Sequence, residues 1–301
     1  MFQSFSQHGQ FMKIAITGAA GNAGQAVCQH LAQSGKHELQ LGDVAGAPDW
    51  LSKLGRYHRC DTRTVSDVNQ LIDGADAVIH LAAWHCAHQP PVSDETIFSV
   101  NVDGTFNVIQ ACRANKIKTL VFASSMAYGK FGIYGASKVI GEDLVDTYHN
   151  MTRAAVVNLR YHEFLPCPYL RYGQKLLHNG VDRQDVARAT VACVEAAAAG
   201  KITNLMTVVH HHLAAPPEVI LDFGNRGAAW LESKLPGTGK LLEKYGLTLP
   251  ETVEQHDMSE SERLTGWLPQ VNFLTFLADL KRRDTAGEDV RLLQTTGELP
   301  A

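Results

Sequence analysis

Short apolar runs alternate with longer stretches of helical spacing through the first half of the chain. Residues 13–17 (KIAIT) predict a buried strand closed by glycines, and residues 25–34 set Val27, Leu31 and Ala32 at near-helical spacing before Gly35. Residues 38–41, 57–60, 77–81, 119–123 and 154–159 continue the strand series, with helical patterns over 65–71, 94–115 and 135–150. This cadence predicts an α/β fold: a doubly wound parallel sheet with helices on both faces. Beyond about residue 160 the rhythm breaks. An Ala-rich helix over 186–199 and a strand over 204–209 remain, while Pro216, Pro217, Pro236, Gly237, Gly239 and Pro250 cut the rest into short pieces. The expected organisation is a tail over 1–11, a core over 12–160, and a mixed region over 161–301. That last region is expected to complete the core at about 181–210 and to form a small substrate lobe.

Composition narrows the classes without naming one. The 301 residues are 45% hydrophobic and 19% charged, with a formal charge of -4, so no global basic field exists to hold nucleic acid or an anionic membrane. No apolar run approaches the roughly 18 residues of a spanning helix. The first eleven residues lack the basic flank and apolar block of a secretion signal. Six scattered cysteines without a C-x-x-C pair favour reduced thiols and a cytoplasmic location. The expected partner is a small-molecule substrate, with no nucleic acid and no membrane.

Candidate chemistry starts directly after the first strand, at Gly18, Ala19, Ala20, Gly21, Asn22, Ala23 and Gly24. A turn of small residues leading into a helix lets a pyrophosphate approach backbone N–H groups at the positive end of the helix dipole. Asp43 lies 25 residues beyond Gly18, at the end of the second strand, where a carboxylate accepts both adenosine ribose hydroxyls and repels a 2′-phosphate. No Arg or Lys lies between His37 and Lys53. The cofactor expected is therefore NAD rather than NADP, held in a Rossmann-type core over 12–160. Asp61, after the third strand, is expected either to hold the adenine amino group or to cap a helix.

Tyr134 and Lys138 stand four residues apart on a helical pattern and so share a face. A neighbouring ammonium and a cationic nicotinamide ring favour the phenolate, which makes Tyr134 a proton acceptor for an alcohol being oxidised. Ser124 and Ser125 end the strand 119–123, the edge where ligands sit in such sheets.

On these residues the chain resembles an extended short-chain dehydrogenase/reductase of the NAD-dependent epimerase/dehydratase group. The matching pieces are TGAAGNAG (17–24), HLAA (80–83), NVDGTFNV (101–108), FASSMAYG (122–129), YGASK (134–138), VNLR (157–160), DRQDVARA (182–189) and ERLTGWLP (262–269). The resemblance implies Tyr134 as general base/acid and Lys138 as the residue that binds the nicotinamide ribose and lowers the Tyr pKa. It implies a serine that orients the reacting hydroxyl, and Asn101 as support for the proton relay. Counting from the strand selects Ser125, counting back from Tyr128 selects Ser124, and the strand count is favoured. Leu81, Ala82 and Ala83 are expected along the cofactor channel. By family analogy, helices 94–115 and 135–150 would pair into a homodimer.

Departures from the family pattern point to a small substrate. Only five residues separate Tyr128 from Tyr134, and 22 positions separate Arg160 from Asp182, where nucleotide-sugar enzymes carry longer elements. The family's Asn-x-x-Gly-Pro is replaced by Glu163, Phe164, Leu165 and Pro166. The compactness resembles uronate dehydrogenases. Candidate substrate contacts are His85, Ser124, Ser125, Met126, His162 and Arg171, the last as a fork for a carboxylate. His80 is expected to pack within its strand, and Trp267 and Leu268 to join the C-terminal core. No metal site is expected. His85 and His88 are half a site, and strand neighbours among His210–His212 would face opposite ways. The expected activity is NAD-dependent hydride transfer on a sugar, sugar acid or polyol. The alternatives are an epimerase or dehydratase with tightly held NAD, and an idle NAD-binding regulatory protein.

Overall fold

The computed structural model describes residues 11–300. The tail expected over 1–11 lies outside the described residues, Phe11 excepted. The chain divides into two compact units. The first holds Met1–Arg160, Thr190–Thr207 and Glu260–Gly266; the second holds Tyr161–Ala189, Val208–Ser259 and Trp267–Ala301.

A seven-stranded sheet runs through strands β1 (Met12–Thr17), β2 (His37–Asp43), β3 (Arg56–Arg59), β4 (Ala77–His80), β5 (Thr119–Ser125), β6 (Ala155–Tyr161) and β8 (Asn204–Val209), in the order β3-β2-β1-β4-β5-β6-β8. β1 pairs in parallel with β2 and β4, β2 with β3, and β4 with β5. The order reverses between β1 and β4, which opens a crevice at their carboxyl ends. β1, β4 and β5 are buried almost throughout, as strands covered on both faces must be. Their apolar side chains enter one core with Val68, Leu71, Val108, Cys112, Val145 and Tyr148 from the flanking helices.

Two boundaries differ from the sequence expectation in ways that matter for the site. β5 runs on to Ser125, so both serines belong to the strand and alternate across it. The helix expected over 94–115 is interrupted: α-helix Asp94–Phe98, a π-helical turn Ser99–Asp103, then α-helix Gly104–Ala114. The wider turn carries Asn101. Gly104 follows it because a Cβ there would stand 2.4 Å from the Thr62 hydroxyl.

In the second unit, short helices pack around Tyr169, Phe223, Phe273, Phe276, Leu277 and Leu280. A two-stranded ribbon joins β7 (Cys167–Pro168) to β9 (Gln294–Thr295). The helix Phe273–Thr285 starts with a capping box between Asn272 and Thr275. The piece 182–189 has a structural explanation. Asp182 accepts the Gln184 N–H (2.7 Å), the Tyr172 hydroxyl (2.6 Å) and the Leu299 N–H (2.8 Å). Fully buried Asp185 accepts the N–H groups of Gln270 and Val271, each at 2.8 Å. Trp267 is buried as expected, whereas Leu268 is 41% exposed, because the chain there runs without regular structure and only one of the two neighbours turns inward.

Candidate active site

The glycine turn is shaped by close backbone approach. Gly18 has φ 71°, and a Cβ on it would lie 2.7 Å from the Ala82 nitrogen. A Cβ on Gly24 would lie 2.1 Å from the Gly18 carbonyl oxygen. Neither position admits a side chain. Gly21 caps the helix Asn22–Ser34, whose first turn is Asn22, Ala23 and Gly24, with no side-chain cap hydrogen bond.

Beside this turn lies a cavity of about 920 Å³, lined within the first unit by Gly18, Ala20, Gly21, Asp43 and Asp61 and by Leu81, Ala82 and Ala83. Asp43 is the last residue of β2. Its Oδ2 accepts the Ala20 N–H (2.9 Å) and its Oδ1 the Ala45 N–H (3.0 Å), which ties the acid to the glycine turn. The parallel register sets Arg59 abreast of Asp43, and Arg59 and Arg63 line the same cavity. Inspection of 37–53 alone misses these cations, because they come from the neighbouring strand. Asp61 accepts the Arg63 guanidinium (2.6 Å) and its backbone N–H (3.0 Å), and that pairing holds the carboxyl below its usual range. The cap of the following helix is Thr64, so Asp61 is not the cap residue.

A buried polar chain braces the crevice from beneath. The Thr105 hydroxyl donates to the Asn101 carbonyl (2.5 Å), so it accepts from His80 Nε2 (3.0 Å). His80 Nδ1 then accepts the Thr17 hydroxyl proton (2.6 Å), and the Thr17 oxygen receives the Ala82 N–H (3.3 Å). Burial pushes the His80 pKa down to about 3, with Lys138 adding to the effect. His80 is thus packed, as expected, and also links the ends of β1 and β4.

Tyr134 sits in the first turn of the helix Gly132–Thr152 and is 5% exposed. Burial pushes the pKa of its phenol up to about 12, with the neighbouring Ser125 hydroxyl opposing that rise. One turn on, Lys138 donates to the Ala123 carbonyl (2.8 Å), with Nζ 5.6 Å from the Tyr134 ring centre. Burial pushes the ammonium down to about 8, opposed by Glu142. The two serines part company. Ser124 donates to Glu142, which is clamped by Arg160 at 2.8 and 2.7 Å, while the Arg160 guanidinium lies 3.7 Å from the Tyr128 ring centre. Ser125 instead faces Tyr134, and its oxygen accepts the Ala127 N–H (3.1 Å). Half-buried Met126 begins the turn that follows.

Asn101 grips the segment after β4. Its Oδ1 accepts the Trp84 N–H (2.8 Å), and its Nδ2 donates to the Trp84 carbonyl and the Ser137 hydroxyl, both at 3.0 Å. That grip presents the His85 ring to Tyr134, with centres 4.5 Å apart. The first unit therefore gathers Asn101, Ser125, Tyr134, Lys138 and His85. The other two candidates belong to the second unit. His162 is buried just after β6, where its Nε2 lies 3.0 Å from His256 Nε2. Arg171 is exposed on the helix Tyr169–Lys175. Sequence reading missed Glu142, Thr17, Thr105 and Ser137. Glu142 had a signal, since positions 134, 138 and 142 repeat every four residues along one helix face.

Comparison with known proteins gives the geometry its relatives. A family model described as NAD dependent epimerase/dehydratase family matches residues 14–165. A uronate dehydrogenase of Pseudomonas syringae pv. tomato is 27% identical over 177 residues, covering 54% of this chain and 62% of that protein. A UDP-glucose 4-epimerase of Streptomyces lividans is 33% identical over 127 residues, 39% of this chain and 37% of that protein. The matches thus span less than two thirds of these relatives' own length. Among solved structures, a short-chain dehydrogenase/reductase superfamily protein from Agrobacterium tumefaciens with bound NAD shares the fold at a TM-score of 0.66. It is 17% identical, covering 91% of this chain and 98% of that one. The matched span takes in the glycine turn, Asp43, Ser125, Tyr134 and Lys138, and the chain belongs to the NAD-dependent epimerase/dehydratase family.

Proposed function

We propose that this chain is an NAD-dependent oxidoreductase that oxidises a hydroxyl of a small sugar, sugar acid or polyol. The observation that carries the reading is the buried Tyr134–Lys138 pair one helical turn apart, with Lys138 Nζ 5.6 Å from the Tyr134 ring centre and bonded to the Ala123 carbonyl beside Ser125 at the end of β5. The cradle fits a dinucleotide. A Cβ would fill it at Gly18 and Gly24, a helix opens on it without a side-chain cap, and Asp43 stands at the ribose end. Gly21, Asn22 and Ala23 would face the pyrophosphate, Leu81 to Ala83 would wall the channel, and Asp61 would border the adenine. NAD, when bound, takes up the hydride.

The chain's own residues then manage one proton. Ser125 Oγ holds the substrate oxygen against Tyr134, and the phenol oxygen removes the hydroxyl proton. Burial, the largest influence, holds Tyr134 at about 12, so the phenolate needs positive charge beside it. Lys138 supplies that charge from within the same buried layer. Asn101 and Ser137 are positioning residues, which hold the Trp84–His85 segment and the start of the catalytic helix together. Ser124 is tied to Glu142 and is assigned no proton transfer.

A small substrate is favoured by the five-residue span between Tyr128 and Tyr134 and by the likeness to uronate dehydrogenase. His85 and Met126 would shape the substrate pocket within the first unit, and on the second unit Arg171 and His162 are the candidate substrate contacts, Arg171 for a carboxylate. A homodimer through the helices Asp94–Phe98, Gly104–Ala114 and Gly132–Thr152 belongs to the same reading; Phe98 and Phe106 are 41% and 47% exposed there. Among the described residues no helix is long and apolar enough to cross a membrane, and a cytoplasmic location is proposed with that.

The test is a panel of aldoses, uronates and polyols with NAD, read by NADH absorbance. Stoichiometric NADH with product is expected, and Tyr134→Phe should lower kcat by about 10²–10⁴ while NAD still binds. The likeness to UDP-glucose 4-epimerase carries the second reading, in which a UDP-sugar isomerises without net NADH.

A further inference from the structure

The second unit gathers a histidine group of which the proposed reaction draws on His162 alone, as a substrate contact, and gives His210 and His256 no part. His162 leaves the end of β6 and His210 the end of β8, neighbouring strands, and the His162 N–H donates to the Val209 carbonyl (3.1 Å). His256 comes from the segment between the helices Thr238–Tyr245 and Ser259–Thr265. One ring nitrogen from each of the three lies within 4.8 Å of the others. His162 and His210 are buried and His256 is half-buried. Nothing in the spacing of 162, 210 and 256 reveals this group. The expectation that neighbours in 210–212 face opposite ways also fails, because β8 ends at Val209. Outside the strand, the His210 and His211 rings stack 3.9 Å apart.

Hydrogen bonding leaves these rings poorly served. His256 Nε2 lies 3.0 Å from both His162 Nε2 and Glu254 Oε1, yet a ring nitrogen carries one hydrogen or one lone pair. His210 Nε2 lies 3.3 Å from the His178 carbonyl, which can only accept. That fixes the His210 hydrogen on Nε2 and leaves a lone pair on Nδ1, which is buried without a hydrogen-bond partner among the described residues, as is His162 Nδ1. Three ring nitrogens within 4.8 Å of one another, a second ring nitrogen of His210 beside a backbone carbonyl, and an adjacent carboxylate form the pattern of a ligand set.

We propose that His162, His210 and His256 bind one divalent transition-metal ion of the zinc class, with Glu254 beside it as the balancing carboxylate. Zn–N bonds of about 2.0–2.1 Å place tetrahedral ligand nitrogens roughly 3.4 Å apart, so a group that already lies within 4.8 Å draws in by about 1.4 Å at most. Three imidazoles suit zinc, cobalt or nickel and not magnesium or calcium, which take oxygen donors. The bound ion ties the segment carrying His256 to the ends of β6 and β8. Glu254 or water fills the fourth position.

The full-length protein, stripped with chelator and dialysed, is titrated with Zn2+ in calorimetry and with Co2+ in visible absorbance. One ion per chain, a tetrahedral Co2+ spectrum and a raised Tm are expected. His256→Ala, at the half-buried ligand, should weaken Zn2+ binding by about 100-fold or more, since even outer partners of metal ligands cost 10–100-fold. His212→Ala, at an exposed neighbour, should leave binding unchanged. Absence of stoichiometric binding, or equal loss in both variants, overturns the site. The readouts are binding and Tm, so the outcome is independent of the NADH assay.

Discussion

At the scale of single residues, two adjacent serines differ in role because a strand sends neighbours to opposite faces. Ser125 meets Tyr134, and Ser124 meets Glu142, itself held by Arg160. Ser125→Ala is therefore expected to lower kcat by about 10²-fold or more with little change in Tm. Ser124→Ala should do the reverse, lowering Tm while sparing kcat, because it leaves a buried carboxylate short of a donor. Steady-state kinetics with thermal denaturation on both variants checks the split. His80 makes a pH prediction. Its folded pKa, about 3, lies below the ordinary value of 6.5, so the unfolded chain takes up the proton first as pH falls. Stability should be full above pH 6.5 and decline toward pH 3 by at most about 1.4 kcal/mol per unit from this residue. His80→Gln should show a shallower decline between pH 7 and pH 5 in denaturant titrations; an unchanged slope would remove His80 as a contributor.

Elements decide the cofactor end and the stability of the second unit. Strand β2 delivers Asp43 to the glycine turn, and β3 brings Arg59 level with it. With the carboxylate present, NAD should bind more tightly than NADP. In Asp43→Ala the cavity keeps Arg59 and loses the acid at the end of β2, beside the glycine turn, so preference should swing toward NADP. Fluorescence titration of both cofactors against both proteins measures this, and equal binding by the unaltered chain would strip Asp43 of its assigned role. Asp185 illustrates a motif acid whose work is structural. It is fully buried and accepts two backbone N–H groups from the segment before the helix Phe273–Thr285. Asp185→Ala orphans both donors and should cost about 2–5 kcal/mol, read by urea denaturation, with NAD affinity unchanged.

Across the whole molecule, local patterns travelled furthest. Short runs of 4–6 residues marked the seven sheet strands to within a few residues; in β1, β4 and β5 burial on both faces leaves an unbroken apolar signature, whereas β3 (RYHR) is mostly exposed and carries none. The glycine turn and the Tyr134–Lys138 spacing were equally legible, since both are fixed by neighbours within one turn of chain. The π-helical turn at Asn101 was not, because its Trp84 and Ser137 partners lie 17 and 36 residues away. The pairing of Arg59 with Asp43 needed strand register, which no single segment encodes. The strand count favoured Ser125 over Ser124 but did not reveal their partners, which depend on both serines belonging to β5 and alternating across it. The histidine group needed the ends of two sheet strands and a distant loop to meet. The sequence by itself determined the wound sheet, the glycine turn and the Tyr134–Lys138 pair on one helix face, all written in short-range periodicity and steric need. Only the tertiary structure decided which hydroxyl faces Tyr134, which cations face Asp43, and which histidines converge, because each depends on side chains brought together by long-range packing.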